Sequence, residues 1–141
     1  MSVPFSIENA ILCEHLVPGL NNKQTLINLY AGNILVKEFP AQIPIAIYIE
    51  LKPKIFGTIP LDLKLYVGRK EAMAGVAEAK FEEGKLAVVA IPTGLILFEK
   101  TTTLKITLSS GKDKPVTVIQ KQVLLHPDLV GSPTDPWPPS R

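Results

Sequence analysis

The chain alternates apolar and polar side chains along much of its length, which is the pattern of a β-strand with one buried face. At residues 61–67, leucine and valine alternate with aspartate, lysine and tyrosine. Residues 104–108 alternate leucine and isoleucine with lysine and threonine, and residues 45–51 carry an aliphatic side chain at every second position. This pattern predicts an all-β protein.

Turn-forming residues separate the alternating runs. Pro18, Gly19 and the pair Asn21-Asn22 lie between a first predicted strand, residues 6–16, and a second, residues 24–36. Asparagine tolerates a positive φ, so the pair suits a hairpin tip. Short strands with a turn about every eight to twelve residues are typical of a sandwich or barrel. The sequence predicts a single antiparallel β-sandwich of roughly seven to eight strands, immunoglobulin-like in topology.

Residues 69–81 (RKEAMAGVAEAKF) fit two structures. Alanine, glutamate and lysine favour a helix, whereas Gly75 disfavours one. Ala77, Ala79 and Phe81 also alternate with more polar neighbours, so we predict a strand from about residue 75, with a short helix as the alternative.

The chain divides into a predicted β-sandwich domain, residues 1–127, and a proline-rich C-terminal tail, residues 128–141. Prolines at positions 133, 136, 138 and 139 lack the N–H that a sheet interior needs. The predicted core consists of two facing aliphatic layers. Its members include Leu26, Ile47, Ile49, Leu63, Leu65, Leu104, Ile106, Val116 and Val118.

Composition narrows the classes of partner. The net charge is +2 and the lysines are scattered singly, whereas nucleic-acid binders concentrate them on one face. The first residues lack the basic and apolar regions of a signal peptide, and the apolar stretch at residues 86–98 is shorter than the roughly 20 residues of a membrane-spanning helix. We therefore expect a cytoplasmic protein that binds neither nucleic acid nor membrane.

Candidate chemistry is sparse. Cys13 is the single cysteine, so an intramolecular disulfide is impossible. In a strand, Cys13 and His15 would share one face and Glu14 the other, while a metal site needs three or four converging ligands. The sequence contains neither GxxxxGK nor GxGxxG, the usual phosphate-binding patterns. We expect Cys13 to pack as a small apolar side chain, and we predict a protein that is not an enzyme and takes no cofactor or metal.

Some predicted strands carry apolar residues on both faces, which indicates that part of their outer surface is covered by another layer or by a partner. Ala46 and Tyr48 point away from the predicted core, and residues 86–91 have no polar face. Such a strand is either central in a covered layer or lies under a partner. We therefore predict a non-catalytic interaction module that contacts a protein partner or a second copy of itself as a homodimer, with Tyr48 and Trp137 as candidate contact residues.

Two alternatives remain open at this stage. Trp137, flanked by Pro136 and Pro138, suits a short docking motif, but the tail can equally fold back over its own domain. Amides cluster around the first hairpin and suit a small-ligand or carbohydrate site, although asparagines more often cap turns. These are Asn21, Asn22, Asn28 and Asn33.

Three segments together carry a family resemblance. They are NAILCEH at residues 9–15, LINLYAG at residues 26–32, and Phe39-Pro40 ahead of IAIYI at residues 45–49. With them the chain resembles a family of uncharacterised small bacterial proteins that look like short β-sandwiches. The resemblance extends to about residue 125 and excludes the tail. It implies a bacterial, cytoplasmic β-sandwich and assigns no site residues.

Overall fold

A computed structural model describes residues 3–21 and 23–128. These residues form two packed β-sheets and no helix. The strands are β1 (Phe5–Pro18), β2 (Gln24–Leu29), β3 (Ile34–Val36), β4 (Ala41–Pro53), β5 (Gly57–Val67), β6 (Lys70–Phe81), β7 (Ala87–Phe98), β8 (Thr102–Ser109) and β9 (Val116–Leu125). The all-β prediction is confirmed. Residues 129–141, including Trp137, lie outside the described residues.

Sheet A has the strand order β2-β1-β4-β7, and sheet B has the order β3-β9-β8-β5-β6. Neighbouring strands run antiparallel except β3 and β9, which are parallel. The prediction of a purely antiparallel sandwich is therefore wrong at this pair, because the chain between β2 and β3 changes sheets.

The core lies between the two sheets and is built mainly from aliphatic side chains. Ile47 and Ile49 of sheet A, and Leu65, Leu104 and Ile106 of sheet B, have no exposed surface. Each such side chain contributes roughly 2 kcal/mol when it leaves water. Leu63 is also buried, as predicted, whereas the other three predicted core positions are only half-buried. These are Leu26, Val116 and Val118.

The predicted second strand, residues 24–36, is two strands in different sheets. β2 pairs with β1 in sheet A, and β3 pairs with β9 in sheet B. Two residues adopt positive φ values: Asn28, still within β2, at 56°, and Gly32, in the connection to β3, at 72°. Tyr30 stays attached to sheet A through its backbone N–H, which donates to the Leu12 carbonyl at 2.9 Å. The hydrophobic pattern alone does not reveal this crossover.

Residues 70–81 form a strand, so the helix alternative is wrong. The strand begins at Lys70, earlier than predicted, and pairs along its length with β5. β7 likewise continues through Pro92 and Gly94 to Phe98, and the register shift opposite Ala46 accommodates the interruption. Pro92 is tolerated because β7 is an edge strand.

Candidate interaction face

The outer face of sheet A is apolar across all four strands. Directly paired residues share a face, so Leu29, Cys13 and Ala46 form one row across β2, β1 and β4. Ile11, Tyr48 and Ala90 form another row across β1, β4 and β7. The register thus joins outward apolar side chains that are distant in sequence.

We call this surface the apolar face. It comprises Ile11, Cys13, Val17, Ile27, Leu29, Pro44, Ala46, Tyr48, Val88, Ala90, Leu95 and Leu97. Leu95 keeps 65% of its surface exposed, Leu29 keeps 53%, and Val88 and Leu97 each keep nearly half. Leu29 lies on one edge strand and the other three on the opposite edge. The most exposed side chains therefore lie at the two edges of the sheet, whereas Cys13 and Ala46 on the central strands have no exposed surface.

The outer face of sheet B is polar by comparison. Its positions on β5, β8 and β9 carry mostly hydroxyl, amide and charged side chains, including Asp62, Lys64, Thr103, Lys105, Gln120 and Gln122. On β6, Val76 is the exception, a valine with 83% of its surface exposed. At the other edge of sheet B, Leu35 of β3 is 42% exposed and pairs with Leu124 of β9. Scattered exposed apolar side chains of this kind are common on protein surfaces, whereas an apolar sheet face is not.

Polar side chains interrupt the apolar face at several places, because Gln42 pairs with Leu97, His15 with Ile27 and Thr25 with Val17. A further polar group lies at the far end of β4. Asn9 donates to Glu50 Oε1 at 2.6 Å, and the Tyr48 hydroxyl donates to Glu50 Oε2 at 2.9 Å. Burial raises the pKa of Tyr48, and the hydrogen bond to Glu50 and that residue's charge act in the same direction. The predicted contact residue Tyr48 therefore lies within the face as a protonated phenol whose donor is already used.

A bulge in β7 ties three strands together. Ile45 pairs with Gly94 and Ile47 with Ile91, so Pro92 and Thr93 both lie opposite Ala46. The Thr93 hydroxyl donates to the carbonyl oxygen of Glu14 on β1 at 2.9 Å. Because β4 separates β7 from β1, this bond spans β4 at Ala46.

Cys13 and Ala46 are fully buried beside this bulge, although both lie on the outer side of the sheet. The Cys13 Sγ lies 3.2 Å from the carbonyl oxygen of His15. Burial is the main cause of a raised pKa for the Cys13 thiol, so it stays protonated near neutral pH. The His15 ring lies with Nδ1 3.3 Å from Thr93 Oγ1. The geometry is that of a thiol packed inside the protein.

Two asparagines of the first hairpin, Asn21 and Asn28, adopt positive φ values, and the Asn28 side chain also makes a hydrogen bond. Asn21 has a φ of 58°, as the turn prediction requires, and Asn22 lies outside the described residues. The Asn28 amide donates to Glu14 Oε1 at 2.6 Å. The neighbouring Tyr30 directs its hydroxyl to the Pro44 carbonyl at 2.7 Å, and its ring is half-buried. Asn33 is exposed in the connection to β3.

Two surface cavities of the described chain are large enough to hold a side chain. The larger, about 730 Å³, lies where β7 approaches the start of β6, and we call it the edge groove. Its walls include Val67, Ala72, Leu95 and Leu97, and its rim carries charged side chains including Arg69 and Lys100. The smaller, about 450 Å³, lies at the other end of the sandwich beside Phe5, Lys54 and Lys114.

Residues 3–21 and 23–128 contain no group of three or more His, Cys, Asp or Glu side chains placed to hold a metal ion. The same residues include no helix with the length and hydropathy needed to span a membrane. Comparisons with protein-family models and with curated proteins find no match to this chain. The family resemblance of the sequence stays a prediction.

Sequence reasoning located only part of the apolar face. The sequence predicts that Ala46 and Tyr48 point outward and that residues 86–91 are apolar on both faces. The register places Ala46, Tyr48, Val88 and Ala90 on the apolar face. Leu95 and Leu97 were not among the predicted contact residues. Burial alternates after Gly94, with Ile96 and Phe98 inward, but residues 95–98 are all apolar, so the sequence does not show which of them face outward.

Proposed function

We propose that this protein is a non-catalytic interaction module whose apolar face packs against the same face of a second copy of the chain. The observation that carries the proposal is the predominance of apolar side chains on the outer face of all four strands of sheet A. Exposed leucine and valine side chains lie on both of its edge strands. An antiparallel sheet with one face in water normally presents polar residues there.

The size of the face suits a stable dimer. Sheet A has four strands, and β4 is 13 residues long. β1 has 14 residues, β7 has 12 and β2 only six. At about 4.8 Å between strands and about 3.3 Å per residue, the sheet covers roughly 700 Å² in projection. A standard protein–protein interface buries about 800 Å² on each partner.

The chemistry of the face suits self-association. A two-fold axis brings the same patch of both copies together, so the patch must tolerate its own charges. The charged side chains paired within sheet A at this face, Glu50 and Lys52, lie at one end of β4 and leave its centre uncharged. An antiparallel arrangement of the two sheets separates these ends.

Size-exclusion chromatography with light scattering on the full chain tests the proposal. We expect a dimer for the native sequence and a monomer for Leu95→Lys, because a lysine cannot be buried unpaired at the interface. Val76→Lys is the matched control, since it places the same charge on an exposed edge-strand position of the other sheet. We expect it to remain dimeric.

Two outcomes contradict the proposal. One is a native chain that is monomeric at micromolar concentration, and the other is equal loss of the dimer in both variants. If the full chain is monomeric but a chain ending at residue 128 associates, residues 129–141 cover the face in place of a second copy.

We also propose immunoglobulin-like topology for the sandwich. The adjacency of β4 and β7 in one sheet, and the order β9-β8-β5 in the other, support it. In an immunoglobulin fold the strands named B and E are neighbours, and the strands named C, F and G form the opposite sheet. β4, β5, β7, β8 and β9 follow this order along the chain. An experimental structure at atomic resolution tests the assignment.

A further inference from the structure

The edge groove combines apolar walls with an excess of positive charge. Arg69, Lys70 and Lys100 line it together with Glu71 and Glu99. The Glu71 carboxylate lies 3.5 Å from Lys64 Nζ, so part of its charge is already balanced by a residue outside the groove. The groove therefore suits a ligand with an apolar or aromatic side chain and a nearby carboxylate.

Residues 129–141 of the same chain have this chemistry. Trp137 is the only tryptophan of the protein, and Asp135 precedes it by two positions. An indole ring fills an aliphatic cleft and is the best aromatic partner for the cationic groups of arginine and lysine. A carboxylate two positions away complements the same cations.

The described chain ends at the opposite edge of sheet B from the groove, where the His126 N–H donates to the Val36 carbonyl of β3 at 2.7 Å. β3 lies four strand spacings from β6, about 19 Å at about 4.8 Å each. Trp137 is nine residues beyond Asp128, which spans about 28 Å in an extended proline-rich conformation. The segment is thus long enough to reach the groove without strain.

We infer that residues 129–141 dock into the edge groove of their own chain, with Trp137 against its apolar walls and Asp135 near Arg69 and Lys100. Covalent attachment favours the chain's own segment, because a short linker holds a ligand at an effective concentration in the millimolar range. The groove opens at the side of the sandwich between the edge strands β6 and β7, and it shares only Leu95 and Leu97 with the apolar face.

Fluorescence of the single tryptophan in the full chain tests this inference. We expect native emission at shorter wavelength than in the guanidinium-unfolded chain, with weaker quenching by acrylamide. Arg69→Glu should shift the emission towards the unfolded value and increase quenching. Lys112→Glu is the matched control, because it makes a similar charge reversal in the loop between β8 and β9, and it should leave the emission unchanged.

A charge swap identifies the contact. Asp135→Lys alone should shift the emission as Arg69→Glu does, and the two changes together should restore the native spectrum. Circular dichroism of each variant shows whether the sandwich is intact. Native emission equal to that of the unfolded chain, or equal shifts in Arg69→Glu and Lys112→Glu, would overturn the inference.

Two further measurements separate this inference from the proposed dimer. Docking within one chain does not depend on protein concentration, so an emission shift that disappears on dilution would overturn it. Leu29→Lys alters the apolar face on β2, at the edge of the sheet far from the groove. It should abolish the dimer and leave the tryptophan emission unchanged, so either proposal can fail without the other.

Discussion

The outer faces of the two sheets differ although their inner faces are alike. Both sheets direct isoleucine and leucine inward, with Ile47 and Ile106 equally inaccessible. Outward, β5 and β8 of sheet B present mainly aspartate, lysine and threonine. The middle of β4 and most of β7 in sheet A present tyrosine, alanine, valine and leucine, with Gln42 and Glu50 towards the two ends of β4. A strand of sheet B therefore alternates between apolar and polar positions, and β7 scarcely alternates at all.

The comparison shows what alternation measures. Burial of one face is enough to fold a sandwich, and it fixes the inward residue at every second position. The outward residues are then set by what lies outside the sheet, which is water for sheet B and, in our proposal, a second apolar surface for sheet A. How strictly a strand alternates therefore indicates whether its outer face meets water or another apolar surface.

The largest expected effect tests whether the inner faces are equivalent. Ile47→Ala in sheet A and Ile106→Ala in sheet B each remove a fully buried side chain. We expect each to lower the free energy of unfolding by about 2–5 kcal/mol, from lost burial and the cavity left behind. Urea unfolding of the full chain at one fixed concentration measures this. A loss confined to one sheet would show that the two inner faces differ as well.

A smaller effect concerns the tyrosines of sheet A and its adjoining loop. Burial raises the pKa of Tyr30, and the negative charges of Glu14 and of an ionised Cys13 act in the same direction. The pKa of Tyr48 is raised as well, so both phenols ionise first in the unfolded chain. The contribution of the two tyrosines to the free energy of unfolding is complete below the pKa of about 10 in the unfolded chain. It is lost as the pH rises through the pKa in the folded chain.

The free energy of unfolding should therefore fall above about pH 10. We expect Tyr30→Phe to reduce the fall by about 1 kcal/mol, because solvent screens part of the effect at a half-buried group. Tyr48→Phe should reduce it by less. Urea unfolding at a series of alkaline pH values provides the measurement, and an unchanged fall in the double variant would show that other groups control it.

The smallest effect is expected on the outer face of sheet B. Lys64 lies 3.5 Å from Glu71, and Lys105 Nζ lies 5.6 Å from the centre of the Tyr66 ring, both near solvent. Lys64→Ala and Lys105→Ala should each cost under about 0.5 kcal/mol in unfolding free energy. If either costs as much as Ile106→Ala, then the register of sheet B is displaced by one residue.

The sequence predicted the fold best where one face meets water. β5 and β8 alternate cleanly, and their inward residues, including Leu63 and Ile106, are buried as predicted. The division of residues 24–36 could not be predicted, because it depends on the connection through Gly32, which has a positive φ value, and on the position of a different sheet. Many sequences contain glycine in such a connection without changing sheets.

The candidate interaction face was only partly predictable for a related reason. Outward apolar residues on β4 and β7 stood out because they interrupt alternation. These residues form one surface with Leu29 of β2 only because Cys13 pairs with both Leu29 and Ala46. Such cross-strand adjacency is a property of topology, and a sequence pattern contains only the spacing along one strand.

Cys13 is a built-in probe for local opening of sheet A near the hydrogen bond from Thr93 to Glu14. Cys13 is the only thiol, and it is fully buried beside the Ala46 position that this bond spans. A thiol reagent can modify Cys13 only when this part of the sheet opens, so the modification rate reports local opening in the native state. The cysteine thereby makes transient separation of β1, β4 and β7 visible without an introduced label.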